Sequence, residues 1–88
     1  MDNLESERTR VHRLCQQMEE TRQVVKNTSN GNYKKLVQPH IDFLKQIKAE
    51  RNVSSTIEAM IIAMDLVEKD DTATQRLIVS AAVEIIDS

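Results

Sequence analysis

Residues 55–87 read STIEAMIIAMDLVEKDDTATQRLIVSAAVEIID, a sequence that predicts two successive helices. Ser55 begins a capping-box pattern with the glutamate three residues later, which predicts a helix over 55–69. Asp71 is a suitable N-cap for a last helix over 72–87. Both helices are apolar on nearly every side, and helices of this kind are normally buried by more than one neighbour.

A chain of 88 residues makes one small domain, 1–88, and such a domain cannot hide two almost wholly apolar helices completely. We therefore expect a homo-oligomer, most simply a two-fold dimer that completes the core. The candidate interface residues lie on the two apolar helices and are Ile62, Leu66, Val79, Val83 and Ile86.

A seven-residue spacing of apolar side chains predicts a first helix over 3–26 with one narrow seam. The seam comprises Leu4, Val11, Met18 and Val25. Two of the three d positions are polar, which favours a helix laid against the bundle over a dimeric coiled coil. The outer face of this helix is a candidate surface for a protein partner, with Arg8, Arg10, Arg13 and Arg22 as its cations.

The polar segment 27–32 predicts the loop that separates the first helix from the rest, and it holds Gly31, the only glycine. A helical stripe follows over 32–51, with Pro39 inside its first two turns. The alternative is an extended Tyr33–Gln38 that leads into a helix from the proline, because proline disfavours helix at the residue before it.

The middle of the chain is basic, with net charge +3 over residues 32–51, whereas residues 52–88 carry −5. A short strand before Pro39, a helix over 39–51, a turn at 52–54 and a helix over 55–69 resemble the order of ribbon-helix-helix DNA-binding proteins. The resemblance implies a dimeric transcriptional regulator that binds duplex DNA through residues 34–69. Its candidate phosphate contacts are Lys34, Lys35, Lys45, Lys48 and Arg51.

Composition argues against several other classes. Cys15 is the only cysteine, so no internal disulfide can form, and its spacing from His12 supplies two metal ligands where zinc needs three or four. A single glycine excludes a glycine-rich phosphate loop. No apolar run reaches membrane-span length, and no helix is basic enough for a membrane surface. We therefore expect a cytoplasmic protein that is not an enzyme and uses no cofactor or small-molecule substrate.

The sequence thus predicts an all-α bundle of about four helices, near 3–26, 32–51, 55–69 and 72–87. The function we expect is a non-catalytic protein–protein interaction module or small regulator that acts as a homo-oligomer and binds another protein. DNA binding of the ribbon-helix-helix type is the alternative. A small inhibitor protein from a phage or other mobile element is a further alternative, because compact acidic helical chains suit that role.

Overall fold

The computed structural model describes residues 3–88, with side chains from residue 8 onward. The chain forms four helices: α1 (Asn3–Thr28), α2 (Tyr33–Glu50), α3 (Thr56–Asp65) and α4 (Thr72–Asp87). Residues 3–88 contain no strand, so the prediction of a small all-α bundle is confirmed. The side chain of Leu4, the first residue of the predicted seam, lies outside the part described.

Helix α4 is the centre of the bundle, because it packs against each of the other three helices while α2 also packs against α3. Its small and apolar residues fill the middle of the core, with Ile78, Ala81 and Ala82 fully buried. Ser80 is buried as well, and its hydroxyl donates a hydrogen bond to the carbonyl of Arg76. The apolar character that the sequence shows on several sides of α4 thus corresponds to three packed faces.

The reversal between α1 and α2 occupies residues 29–32, two residues later than predicted at its start. Asn30 and Gly31 both adopt the left-handed conformation, with φ of 52° and 84°. Asparagine and glycine are the residues that reach this region at low cost. The amide of Asn32 donates to the carbonyl of Ser29 at 3.0 Å and closes the turn.

Helix α2 runs unbroken through Pro39, so the helical alternative for residues 33–38 is confirmed and the extended one is wrong. Pro39 is exposed in the second turn, where its missing N–H leaves only the carbonyl of Lys35 without an i+4 donor. The helix ends in a Schellman motif: Asn52 has φ 54°, and the amide of Val53 donates to the carbonyl of Lys48.

Helix α3 begins as predicted, since the Ser55 hydroxyl accepts a hydrogen bond from the amide of Glu58. It ends at Asp65, and the prediction that it continues to residue 69 is wrong. The last turn has 3₁₀-type hydrogen bonds, because the amides of Leu66 and Val67 donate to carbonyls three residues back and not four. Val67 turns towards the core, to which it packs.

The link to α4 is held by polar caps. The side-chain amide of Gln75 donates to the carbonyls of Glu68 and Lys69. Asp71 accepts hydrogen bonds from both the amide and the hydroxyl of Thr74, which confirms it as the N-cap of α4. Gln75 and Asp71 therefore give the chain a polar alternative to continuing α3.

Candidate interaction surface

Helix α1 lies antiparallel to α4, and Arg22 shows how the two helices are aligned. Its guanidinium contacts Glu84 and Asp87 near the C-terminal end of α4. Val25, further along α1, lines a groove with Leu77 near the start of α4. At 1.5 Å per residue α1 is about 39 Å long and α4 about 24 Å, so α1 continues beyond the C-terminal end of α4.

Residues 8–13 of α1, named the stem below, lie in this projecting part and are all exposed. The apolar seam of the helix follows the same course. Met18 and Val25 are buried where α4 covers them, Leu14 is partly buried, and Val11 is 56% exposed. The seam therefore continues beyond the bundle, where Val11 is not covered by α4.

Arg22 is the centre of a charged network that joins α1 to α4. Its guanidinium donates to Glu19 at 2.7 Å and to Glu84 at 3.0 Å, and it lies 3.4 Å from Asp87. Tyr33 at the start of α2 donates its hydroxyl to the same Glu84 at 2.8 Å. Three carboxylates thus surround one guanidinium. Lys26 is a second cation in this cluster, because its amine lies 5.4 Å from the centre of the Tyr33 ring and its charge lowers the pKa of Glu19 and Glu84. Three acidic groups against two basic ones leave a small excess of negative charge at this end of the bundle.

The network shifts the protonation equilibria of its members. Burial alone would raise the pKa of Glu84, but the hydrogen bonds from Tyr33 and Arg22 outweigh it and the pKa is lowered. The pKa of Glu19 is lowered mainly by the hydrogen bond from Gln23, with Arg22 second. Burial and the hydrogen bond to Glu84 both raise the pKa of Tyr33. At neutral pH Glu19 and Glu84 are therefore ionised and the phenol of Tyr33 keeps its proton.

A shallow groove of about 210 Å³, named the α1–α4 groove, lies beside the network. Its floor is apolar and its rim acidic, and it is lined by Cys15, Met18, Glu19, Val83, Ile86 and Asp87. Ile86 is 49% exposed at its edge. The groove adjoins the stem, because Cys15 in its lining is two residues after the end of the stem.

The predicted partner cations divide into two groups. Arg8, Arg10 and Arg13 are exposed on the stem, and none of them forms an ion pair with another residue of the described part of the chain. Arg22 is occupied by the network and its side chain is only 14% exposed. The surface available to a partner therefore comprises the three stem arginines.

The predicted interface residues also differ in their placement. Val83 is buried in the chain's own core, while Ile62 and Val79 are partly buried against that core. Ile86 borders the α1–α4 groove, and Leu66, at the C-cap of α3, is 62% exposed. The structure does not bring Leu66 and Ile86 into one described groove.

The predicted phosphate contacts do not all share one side of α2. The cations are Lys34, Lys35, Lys45, Lys48 and Arg51. At about 100° per residue, Lys34, Lys45 and Lys48 fall on one side, and Lys35 lies about 100° around the helix from Lys34. The amine of Lys48 donates to Thr56 of α3 at 3.1 Å. The strand that the ribbon-helix-helix order requires is replaced by helix.

Residues with catalytic or metal-binding chemistry are dispersed. His12 and Cys15 are both exposed on α1. Within the described residues, no three His, Cys, Asp or Glu side chains converge in a way that could hold a metal ion. None of the helices described has both the length and the apolar character needed to cross a membrane.

Sequence reasoning did not identify the acidic cluster around Arg22. The only signal was the position of Arg22 next to the seam, four residues after Met18, which places it on the face of α1 that meets the bundle. Glu84 and Asp87 are far away in sequence, so their contact depends on the alignment of α1 and α4. No family model, no curated protein and no solved structure matches this chain.

Proposed function

We propose that the protein is a non-catalytic interaction module that acts as a homo-oligomer, most simply a dimer. The observation that carries this proposal is the seam of α1, which continues past the end of α4 and exposes Val11 beside the apolar α1–α4 groove. Covering such side chains removes apolar surface from water, at about 25 cal/mol per Å².

Other exposed apolar residues support association as well. Ile61 and Leu66 on α3 and Leu36 and Phe43 on α2 are among the large apolar side chains left exposed. A regulator that binds a second protein could use these faces while the α1 face mediates self-association. Single exposed apolar residues are common on protein surfaces, so the seam of α1 supports association more strongly than these residues do.

The experiment that tests this proposal is sedimentation equilibrium of the full chain over a wide concentration range. We expect a dimer that dissociates on dilution. A species of 10.1 kDa that persists at every concentration would refute self-association.

Duplex DNA binding through residues 34–69 stays a prediction, and so does a role as a small inhibitor from a mobile element. Titration with duplex DNA at two salt concentrations addresses the DNA alternative, because each phosphate contact adds to the salt dependence of binding. Replacement of Lys34 and Lys45, which share one side of α2, should flatten that dependence if they contact phosphates.

A further inference from the structure

We propose that the stem of one copy docks into the α1–α4 groove of a second copy, whose own stem docks into the groove of the first. The inference rests on the proposed self-association and specifies the surface that produces it. The occupant of the groove is therefore residues 8–13 of another molecule of this chain.

The order of apolar residues along α1 allows this helix to pair with a second copy of itself. Val11 and Met18 belong to the same seam and are seven residues apart, with Leu14 midway between them. A two-fold axis that crosses α1 near Leu14 places Val11 of each copy next to Met18 of the other, at the apolar floor of the groove. One self-complementary patch then forms two equivalent contacts, as two-fold symmetry requires.

The charges of the two regions are complementary in this arrangement. Arg8 lies one turn before Val11, so the same axis brings it one turn beyond Met18 of the other copy. Arg22 of the other copy lies at that level, and the more exposed carboxylates of Glu19 and Asp87 lie beside it on the rim of the groove. Arg8, which forms no ion pair with another described side chain, thus meets two carboxylates that are more exposed than the guanidinium between them.

The same charges disfavour pairing of stem with stem. A two-fold axis through the stem itself would bring Arg8, Arg10 and Arg13 opposite the same cations of the second copy, and like charges repel. The acidic groove avoids that repulsion. A contact through one helix and one shallow groove buries less than the roughly 800 Å² per partner of a standard interface, so we expect a dimer of about micromolar affinity.

The first test compares two valine substitutions on α1 by sedimentation equilibrium of the full chain. Val11→Asp puts a carboxylate into the apolar floor of the groove and should weaken dimerisation at least about tenfold. Val24→Asp is the matched control, because Val24 is 47% exposed on the same helix but lies off the seam. Circular dichroism melts of both variants check that each remains folded.

The second test reverses the charges separately. Arg8→Glu and Asp87→Arg should each weaken the homodimer by about tenfold, since each substitution changes both of the two equivalent contacts in the dimer. An equimolar mixture of the two variants should regain association, because each stem then meets a groove of opposite charge. Arg51→Glu, an exposed substitution of the same kind at the end of α2, should leave the dimer unchanged.

The outcomes separate the two proposals. Loss of the dimer in Val11→Asp together with recovery in the mixture supports docking of the stem in the groove. If Val11→Asp dimerises as strongly as Val24→Asp, or if the mixture gains nothing, the stem is not the occupant, while self-association through another face stands. If the unmodified chain is a monomer throughout, both proposals are wrong.

Discussion

Truncation of two valines on the same seam of α1 tests how this helix is attached to the bundle. Val25 is 8% exposed and Val11 is 56% exposed, although both occupy equivalent heptad positions. Val→Ala removes two methyl-sized groups in each case, and the residue that remains is a better helix former. The two substitutions therefore differ only in what surrounds the side chain.

The expected magnitudes follow from that difference. At about 0.8 kcal/mol per buried carbon, Val25→Ala loses about 1.5 kcal/mol of transfer free energy and a further contribution from the cavity. The higher helix propensity of alanine returns about 0.5 kcal/mol, so the net loss should be about 1.5–2 kcal/mol. For Val11→Ala the loss of transfer free energy is less than half as large, because the side chain is mostly exposed, and the higher helix propensity of alanine nearly cancels it.

Thermal unfolding followed by circular dichroism measures both variants, at the lowest protein concentration that gives a usable signal. The Tm of Val25→Ala should fall by about 10 °C, and that of Val11→Ala should change little. Equal losses in the two variants at low concentration would refute the docking of α1 on α4. A loss in Val11→Ala that grows with concentration is expected if the stem is buried in the dimer.

Three further predictions concern the caps, the turn and the charged network. Asp71→Ala should lower the free energy of unfolding by about 1 kcal/mol, because it removes the acceptor of the Thr74 amide. Asp70→Ala, at the exposed neighbouring position, should change the free energy of unfolding little, and chemical denaturation compares the two variants. Gly31→Ala should cost about 1–2 kcal/mol although no atom lies within 4 Å of the added carbon, because φ is +84°; an unchanged Tm would contradict this account of the turn. The pKa of Glu84 is lower in the folded chain than in the unfolded chain, so ionised Glu84 stabilises the fold above the ordinary value of 4.5, and this stabilisation is lost as pH falls through the folded pKa. In thermal melts from neutral to acid pH, the Tm of Glu84→Gln should therefore fall less than the Tm of the unmodified chain.

The attachment of α1 combines apolar and polar contacts, and the two have different consequences. The ion pairs of Arg22, whose carboxylate partners are 30–53% exposed, contribute about 1 kcal/mol or less, and burial of Met18 and Val25 contributes more. The network around Arg22 fixes the alignment of α1 along α4, because its guanidinium must reach Glu84 and Asp87 together. That alignment determines how far the stem projects, and hence where a second copy can bind.

The sequence by itself determined the features that depend on near neighbours. The Ser55 and Asp71 caps, the reversal at Gly31 and the four helices all follow from local hydrogen bonding and backbone preference, and all were predicted within a few residues. Pro39 left two interpretations open, since a proline in the second turn of a helix costs little when the carbonyl it leaves unpaired is exposed.

Which of the equivalent residues of the seam are covered depends on how the helices pack. Val11, Met18 and Val25 are indistinguishable by their spacing, and their burial depends on where α4 ends alongside them. The loop after α3 is bonded to Gln75 from the next helix, and the role of Arg22 depends on carboxylates more than sixty residues away. These contacts are non-local, so their energies appear only once the helices are packed, and no periodicity within one helix can specify them.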